Sequence, residues 1–211
     1  MSTHQISTQD TYIHLIKENI SLIKKLIEDS KKEIIPFNPS NTAPFYKSRA
    51  RHLQTMGLVG ITCEQLLKLI ILTRGYSIYE VDHVKNVDDK SEIKYSEKTI
   101  SYDKAANLFL RSNPENYFEG TKVYEFNTHD IDYEYSYLGY KKVDPRTCIS
   151  LIQKIRNNYL HKADSHGEWN GIIWYVYNFL IWLAKKEFPN HFSEFEFIGS
   201  EEIKRLFKND K

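Results

Sequence analysis

The chain has few cysteines. Of its 211 residues only Cys63 and Cys148 are cysteine, and they fall in separate apolar segments. No CxxC pair and no paired Cys/His spacing occurs, so a zinc site is not expected and no metal ligand or cofactor is assigned. Two thiols on apolar helical patterns read instead as buried, reduced side chains, which points to a reducing, cytoplasmic setting. A charge bias is also lacking, with 29 basic and 28 acidic residues giving a net charge of +1. Overall charge therefore gives no evidence for bulk nucleic-acid binding, and any RNA site has to be local. No apolar run reaches the ~18 charge-free residues that a membrane span requires. The polar stretch 1–10 gives no sign of a secretory leader. Internal repeats and low-complexity linkers are also missing.

The composition that remains, 41% hydrophobic and 27% charged, is that of a soluble globular protein. The length suits one domain, residues 1–211, with a sizeable core. Tyrosine is abundant at 15, beside many Ile, Lys and Asn, which reflects an AT-rich gene as much as a function.

Helical periodicity organises most of the chain. Residues 1–7 look frayed, and from about Thr8 a run through Tyr12, Ile16, Ile20, Ile23 and Ile27 predicts a long amphipathic helix. Pro36, Asn38 and Pro39 predict a loop. A second helix is expected from Ala43-Pro44 to Thr73, stopped by Gly75, and its second half is almost wholly apolar. Gly57 and Gly60 in its middle predict a close helix contact or a bend. Glu64 is the one acid of that half. It either pairs with Lys68 at i,i+4 or faces a site.

Residues 76–143 are rich in Tyr, Asp, Asn and Lys and have weak periodicity, so they read as an irregular Tyr-rich insertion. Within it, 101–111 predicts a helix capped by Ser101, and 122–126 a short extended piece. The alternating acids and tyrosines of 132–140 suit packing or an interface better than base stacking, since Asp130, Asp132 and Glu134 repel phosphate. A helix follows over 144–164, then a helix over 168–188 that is apolar nearly all round and belongs in the core or at a dimer face. A short closing helix starts at Ser200 and ends near Phe207.

The segment that carries chemistry is Arg156-Asn157-Asn158-Tyr159-Leu160-His161. At about 100° per residue, Cys148, Ile149, Ile152, Ile155, Tyr159 and Ala163 share one apolar arc, and Arg156 lies inside it. A guanidinium is almost never fully buried without a partner. Arg156 therefore either faces another polar surface or lies at an interface beside a charged ligand. Asn157 and His161, four apart, share the polar face that Arg156 borders. Guanidinium, amide and imidazole together suit a phosphodiester, because Arg grips phosphate with a bidentate fork and His moves a proton near neutral pH. The plain alternative is a solvated helix face.

An Arg followed by a polar residue, with His four to six residues on, in a late helix of a helical bundle, resembles the signature of the HEPN superfamily. Here the polar residue is Asn157 and four residues separate Arg156 from His161. The order of helices around the motif resembles the HEPN bundle over about residues 8–187. The resemblance implies an all-α HEPN-like helical bundle that dimerises, so that two motifs form one composite site. It implies metal-independent cleavage of RNA by Arg156, Asn157 and His161, with Lys154, Asn158 and Lys162 contacting the RNA. A toxin or abortive-infection role in bacterial anti-phage defence, with an antitoxin or other partner protein, also follows from it. One family branch has a Tyr two residues after the His, which a partner enzyme modifies. Ala163 stands there, so the match does not extend to that regulation. Two rivals remain: a non-catalytic HEPN module that binds RNA or protein, and a plain helical interaction protein.

Overall fold

A computed structural model describes residues 3–31, 38–87, 90–112, 145–157, 159, 170–199 and 201–208. The described residues are mostly helical. In chain order they form α1 (Thr3–Lys31), α2 (Ala43–Thr73), β1 (Tyr79–Val87), β2 (Lys90–Thr99), α3 (Tyr102–Ser112), α4 (Pro145–Asn157), α5 (Asn170–Glu187), α6 (Pro189–Phe192) and α7 (Glu201–Lys208).

The long helix α2 is the hub, packing against α1, α3, α4 and α5. It has Pro44 in its first turn, where the missing N–H removes no helical bond. It ends at Gly75, whose φ of 83° is the left-handed conformation that an L side chain resists. The Tyr76 N–H donates to the Ile71 carbonyl at 3.1 Å and the Gly75 N–H to the Leu72 carbonyl at 3.0 Å, the paired bonds of a Schellman stop. By length and hydropathy α2 is apolar enough to cross a membrane, but 78% of its most apolar window is buried inside the fold.

Helix α1 presents Ile16, Ile20, Ile23 and Ile27 to the core at spacings of three and four, as an amphipathic helix does. It starts at Thr3, about a turn before the expected Thr8, because adding residues to an existing helix is far easier than starting one. Helix α5 is buried from Tyr175 to Ala184 against α1, α2, α4, α6 and α7. From Tyr175 to Ala184 its apolar surface is thus covered within the chain. Helix α5 ends at Glu187, just before Pro189, which opens the single turn α6.

The stretch expected to be irregular contains an antiparallel hairpin. β1 pairs with β2 in a register running from Tyr79 opposite Thr99 to Val87 opposite Lys90, with irregularities beside Val81. Val81, Val84, Val87, Ile93 and Tyr95 are strand-favouring residues, but charged residues interrupt them and hide the alternation. The base of the hairpin is closed by the Ile100 N–H donating to the Ile78 carbonyl at 2.7 Å, and both residues are buried. Helix α3 begins at Tyr102, next to the expected cap Ser101. The extended piece expected at 122–126 and the tyrosine run 132–140 lie outside the described residues.

Two polar anchors complete the frame. Asn178, fully buried in α5, donates to the Ile198 carbonyl at 2.8 Å and accepts from the Ile198 N–H at 2.9 Å, tying the chain before α7 to the core. Arg74 reaches both carboxylate oxygens of Glu187 at 3.1 Å, joining the ends of α2 and α5. Cys63 and Cys148 are buried thiols, as expected of cysteines on apolar faces.

Candidate functional site around Arg156

Helix α4 buries Cys148, Ile149, Leu151, Ile152 and Ile155, so its apolar arc faces the core. Arg156 follows directly and is carried toward α2. The two mid-helix glycines of α2 make room for this approach. A Cβ on Gly60 would lie 2.6 Å from Arg156 Cβ and 2.8 Å from its Cγ, and a Cβ on Gly57 would overlap the Tyr159 ring. The aliphatic stem of Arg156 therefore rests on bare α2 backbone. Any side chain at position 60 would lift it off.

The guanidinium meets one carboxylate. Arg156 Nη2 lies 3.4 Å from Glu64 Oε2, one turn beyond Gly60 on α2. Glu64 Oε1 accepts from Lys68 Nζ at 2.7 Å, and Lys68 also donates to Thr99 Oγ1 at 2.9 Å, which ties the end of the hairpin into the same network. Glu64 thus pairs with Lys68, as the i,i+4 spacing predicts, and it also faces Arg156. The Arg156 contact is long for a hydrogen bond and is a charge–charge contact. Its groups are partly shielded, with side-chain exposures of 27% for Arg156 and 20% for Glu64, and Lys68 is more enclosed at 8%. Two cations share one carboxylate, so the trio carries one net positive charge.

The third wall is Tyr102 of α3. The Arg156 Cζ lies 5.9 Å from the Tyr102 ring centroid, within cation–π range. The Tyr102 hydroxyl donates to the Ile149 carbonyl of α4 at 2.9 Å and lies 3.3 Å from Cys63 Sγ. Burial raises the Tyr102 pKa well above the usual range; the neighbouring Cys63 and its hydrogen bond push it further up, against the opposing pull of Arg156. Burial likewise pushes the Cys63 thiol up to about 12. Both groups are neutral at physiological pH, so Cys63 is no nucleophile and the phenol is no base. Arg156 Nε is buried and has no hydrogen-bond partner among the described residues. Such an orphan donor is costly, and an incoming acceptor would relieve it.

Of the expected site residues, Arg156 sits in this cluster, Asn157 follows it half-buried, and Lys154, two residues before Arg156, is exposed. His161, Asn158 and Lys162 lie outside the described residues. Among the described residues no group of three His, Cys, Asp or Glu side chains is placed to hold a metal ion. Sequence reasoning missed Tyr102. Its only signal was its place on the face of Ala105, Ala106 and Phe109, which marks a core position and says nothing of a cation above the ring.

Compared with protein-family models, with curated proteins and with solved structures, the chain matches none.

Proposed function

We propose that the chain is a HEPN-type endoribonuclease that cuts RNA without a metal ion. The observation that carries this reading is Arg156: its stem is seated on Gly60, its guanidinium pairs with Glu64, and its Nε is buried with no acceptor among the described residues. A phosphodiester oxygen supplies the acceptor that this Nε lacks, and the cluster's net positive charge favours it. In the reaction the ribose 2′-oxygen attacks phosphorus, the bond to the 5′-oxygen breaks, and a 2′,3′-cyclic phosphate and a 5′-hydroxyl result. His161 takes the 2′-hydroxyl proton or gives a proton to the leaving 5′-oxygen. Arg156 stabilises the charge that builds on the phosphoryl oxygens. Asn157 orients the phosphate or the imidazole, and Lys154, Asn158 and Lys162 hold the flanking backbone. A second copy, its motif helix opposite across a two-fold axis, supplies the other His161. As a toxin or anti-phage effector in the bacterial cytoplasm, the enzyme would be held in check by an antitoxin or another partner protein.

The test is an RNA cleavage assay on wild type and His161→Ala. The variant should lose at least about 10²-fold in rate, the usual scale of general acid–base catalysis. Cleavage should persist in EDTA and spare an all-DNA substrate, which has no 2′-hydroxyl. Equal rates for wild type and His161→Ala would move the chemistry elsewhere. A second reading, a non-catalytic HEPN module, is favoured by the Arg156–Glu64 ion pair itself, since a guanidinium paired with an acid of α2 also serves as a cross-link between helices.

A further inference from the structure

Between α1 and α2 lies a cavity of about 560 Å³, with walls that include Tyr12, Leu15, Ile61, Glu64, Gln65 and Lys68. Glu64 and Lys68 also belong to the Arg156 cluster, so cavity and cluster adjoin. The volume falls within the roughly 300–1,000 Å³ typical of small-molecule sites. Its lining is mixed. Leu15 and Ile61 are large apolar side chains left 42% and 45% exposed. Tyr12 is half-buried, and its phenol pKa is raised by burial first and then by the neighbouring Tyr79 and Glu64, so the hydroxyl is a neutral donor. The Gln65 oxygen accepts from Asn19 Nδ2 at 2.9 Å. That bond commits the acceptor half of the amide and leaves Nε2 as its donor.

The charges decide what fits. Glu64 and Lys68 line the cavity, and with Arg156 beside them the trio carries one net positive charge. An anionic group is drawn to Arg156, and a neutral group with flat apolar faces and a polar edge is suited to the cavity. Single-stranded RNA offers this pair: unstacked bases lie on aromatic and apolar side chains and present their edges to hydrogen bonds. We propose that the cavity receives a nucleobase of single-stranded RNA whose phosphate meets Arg156. Tyr12, Leu15 and Ile61 cover the faces of the base, and Gln65 Nε2 donates to its edge. This rests on the RNA reading of the Arg156 site and deepens it, because it makes the cavity the element that selects which nucleotide stands at the reacting phosphate.

The experiment is a methyl NMR titration of Leu15 and Ile61 with AMP, CMP, GMP and UMP, and with inorganic phosphate as control. At least one nucleotide should shift both methyl sets, and phosphate alone should not. Ile61→Trp fills the mouth from a half-exposed position where folding tolerates it, as unchanged thermal unfolding will show, and it should remove nucleotide binding. Gln65→Ala should change the relative affinities of the four nucleotides by about threefold to tenfold, the worth of one hydrogen bond. In RNA cleavage the same two variants should alter the base preference at the cut. Nucleotides that leave Leu15 and Ile61 unshifted, or that bind Ile61→Trp as well as wild type, overturn the proposal even if wild type cleaves RNA. If wild type does not cleave but binds a nucleotide that Ile61→Trp excludes, the cavity assignment stands and the nuclease reading falls.

Discussion

Gly60 of α2 and Arg156 of α4 form one joint: the arginine stem occupies the space that a side chain at position 60 would take, 2.6 Å from where its Cβ would be. The joint sets the height of the guanidinium above α2 and brings it within reach of Glu64, one turn on. The apolar helix, the glycine and the acid act together, and the site is a product of α2 as much as of the motif helix.

Gly60→Ala tests this joint. The intruding methyl meets Arg156 Cβ, which the α4 backbone holds, so the strain cannot be relieved at a flexible tip. Overpacking of this kind costs about 1–3 kcal/mol, partly offset by the roughly 1 kcal/mol that Ala gains over Gly in a helix. A net loss of up to about 2 kcal/mol in denaturant unfolding is expected. RNA cleavage should fall at least tenfold, because Arg156 is displaced from its seat. A fully active, fully stable Gly60→Ala protein would show that the contact is slack.

Glu64→Gln separates the two cations. Lys68 is the more enclosed of them, and without the carboxylate it keeps, among the described residues, the hydrogen bond to Thr99 Oγ1 at the end of the hairpin. Loss of about 1–3 kcal/mol is expected, the cost of leaving a shielded charge poorly paired. Adding Lys68→Met to Glu64→Gln should recover part of this, since contacting residues are not additive. Thermal melts of the two singles and the double measure the coupling. Strict additivity would remove Glu64 as the shared acceptor.

The buried thiol and phenol predict alkaline sensitivity. Cys63 has its pKa raised from 9.0 to about 12 by burial, so the folded state holds its proton where the unfolded chain releases it. The stability this contributes is complete below pH 9 and is lost as pH rises from 9 toward 12. Tyr102 and Tyr12, both raised, act in the same direction. Denaturant midpoints should therefore decline above pH 9 and decline less steeply in Cys63→Ala. At pH 8 the native thiol should resist iodoacetamide and react only on unfolding.

Asn178→Leu isolates the α5 anchor. The substitution keeps volume but leaves the Ile198 N–H and carbonyl without the side chain that satisfies both. A cost of about 2–4 kcal/mol is expected from two buried, unpaired backbone groups. Amide exchange at Ile198 should rise more than at α5 core positions such as Ile181. Unchanged protection at Ile198 would mean the anchor is dispensable.

Much of the fold was legible along the chain. The bounds of α2, its glycine stop, the core face of α1, the buried thiols and the helix after Ser101 all follow from spacing and capping, which depend only on near neighbours. So did the anomaly of Arg156, a charge on an apolar arc. Where partners lie far apart in sequence, spacing is silent. Only packing decided that Arg156 meets Glu64 and Tyr102, that Gly57 and Gly60 admit α4, and that Asn178 holds Ile198. The hairpin of β1 and β2 escaped notice because pairing between strands, rather than periodicity within them, stabilises it. Helix α5 could have been a dimer face by composition, and tertiary contacts with α1, α2, α4, α6 and α7 placed it inside the chain. Periodicity tells which face of a helix leaves water; what that face meets depends on how the helices pack together.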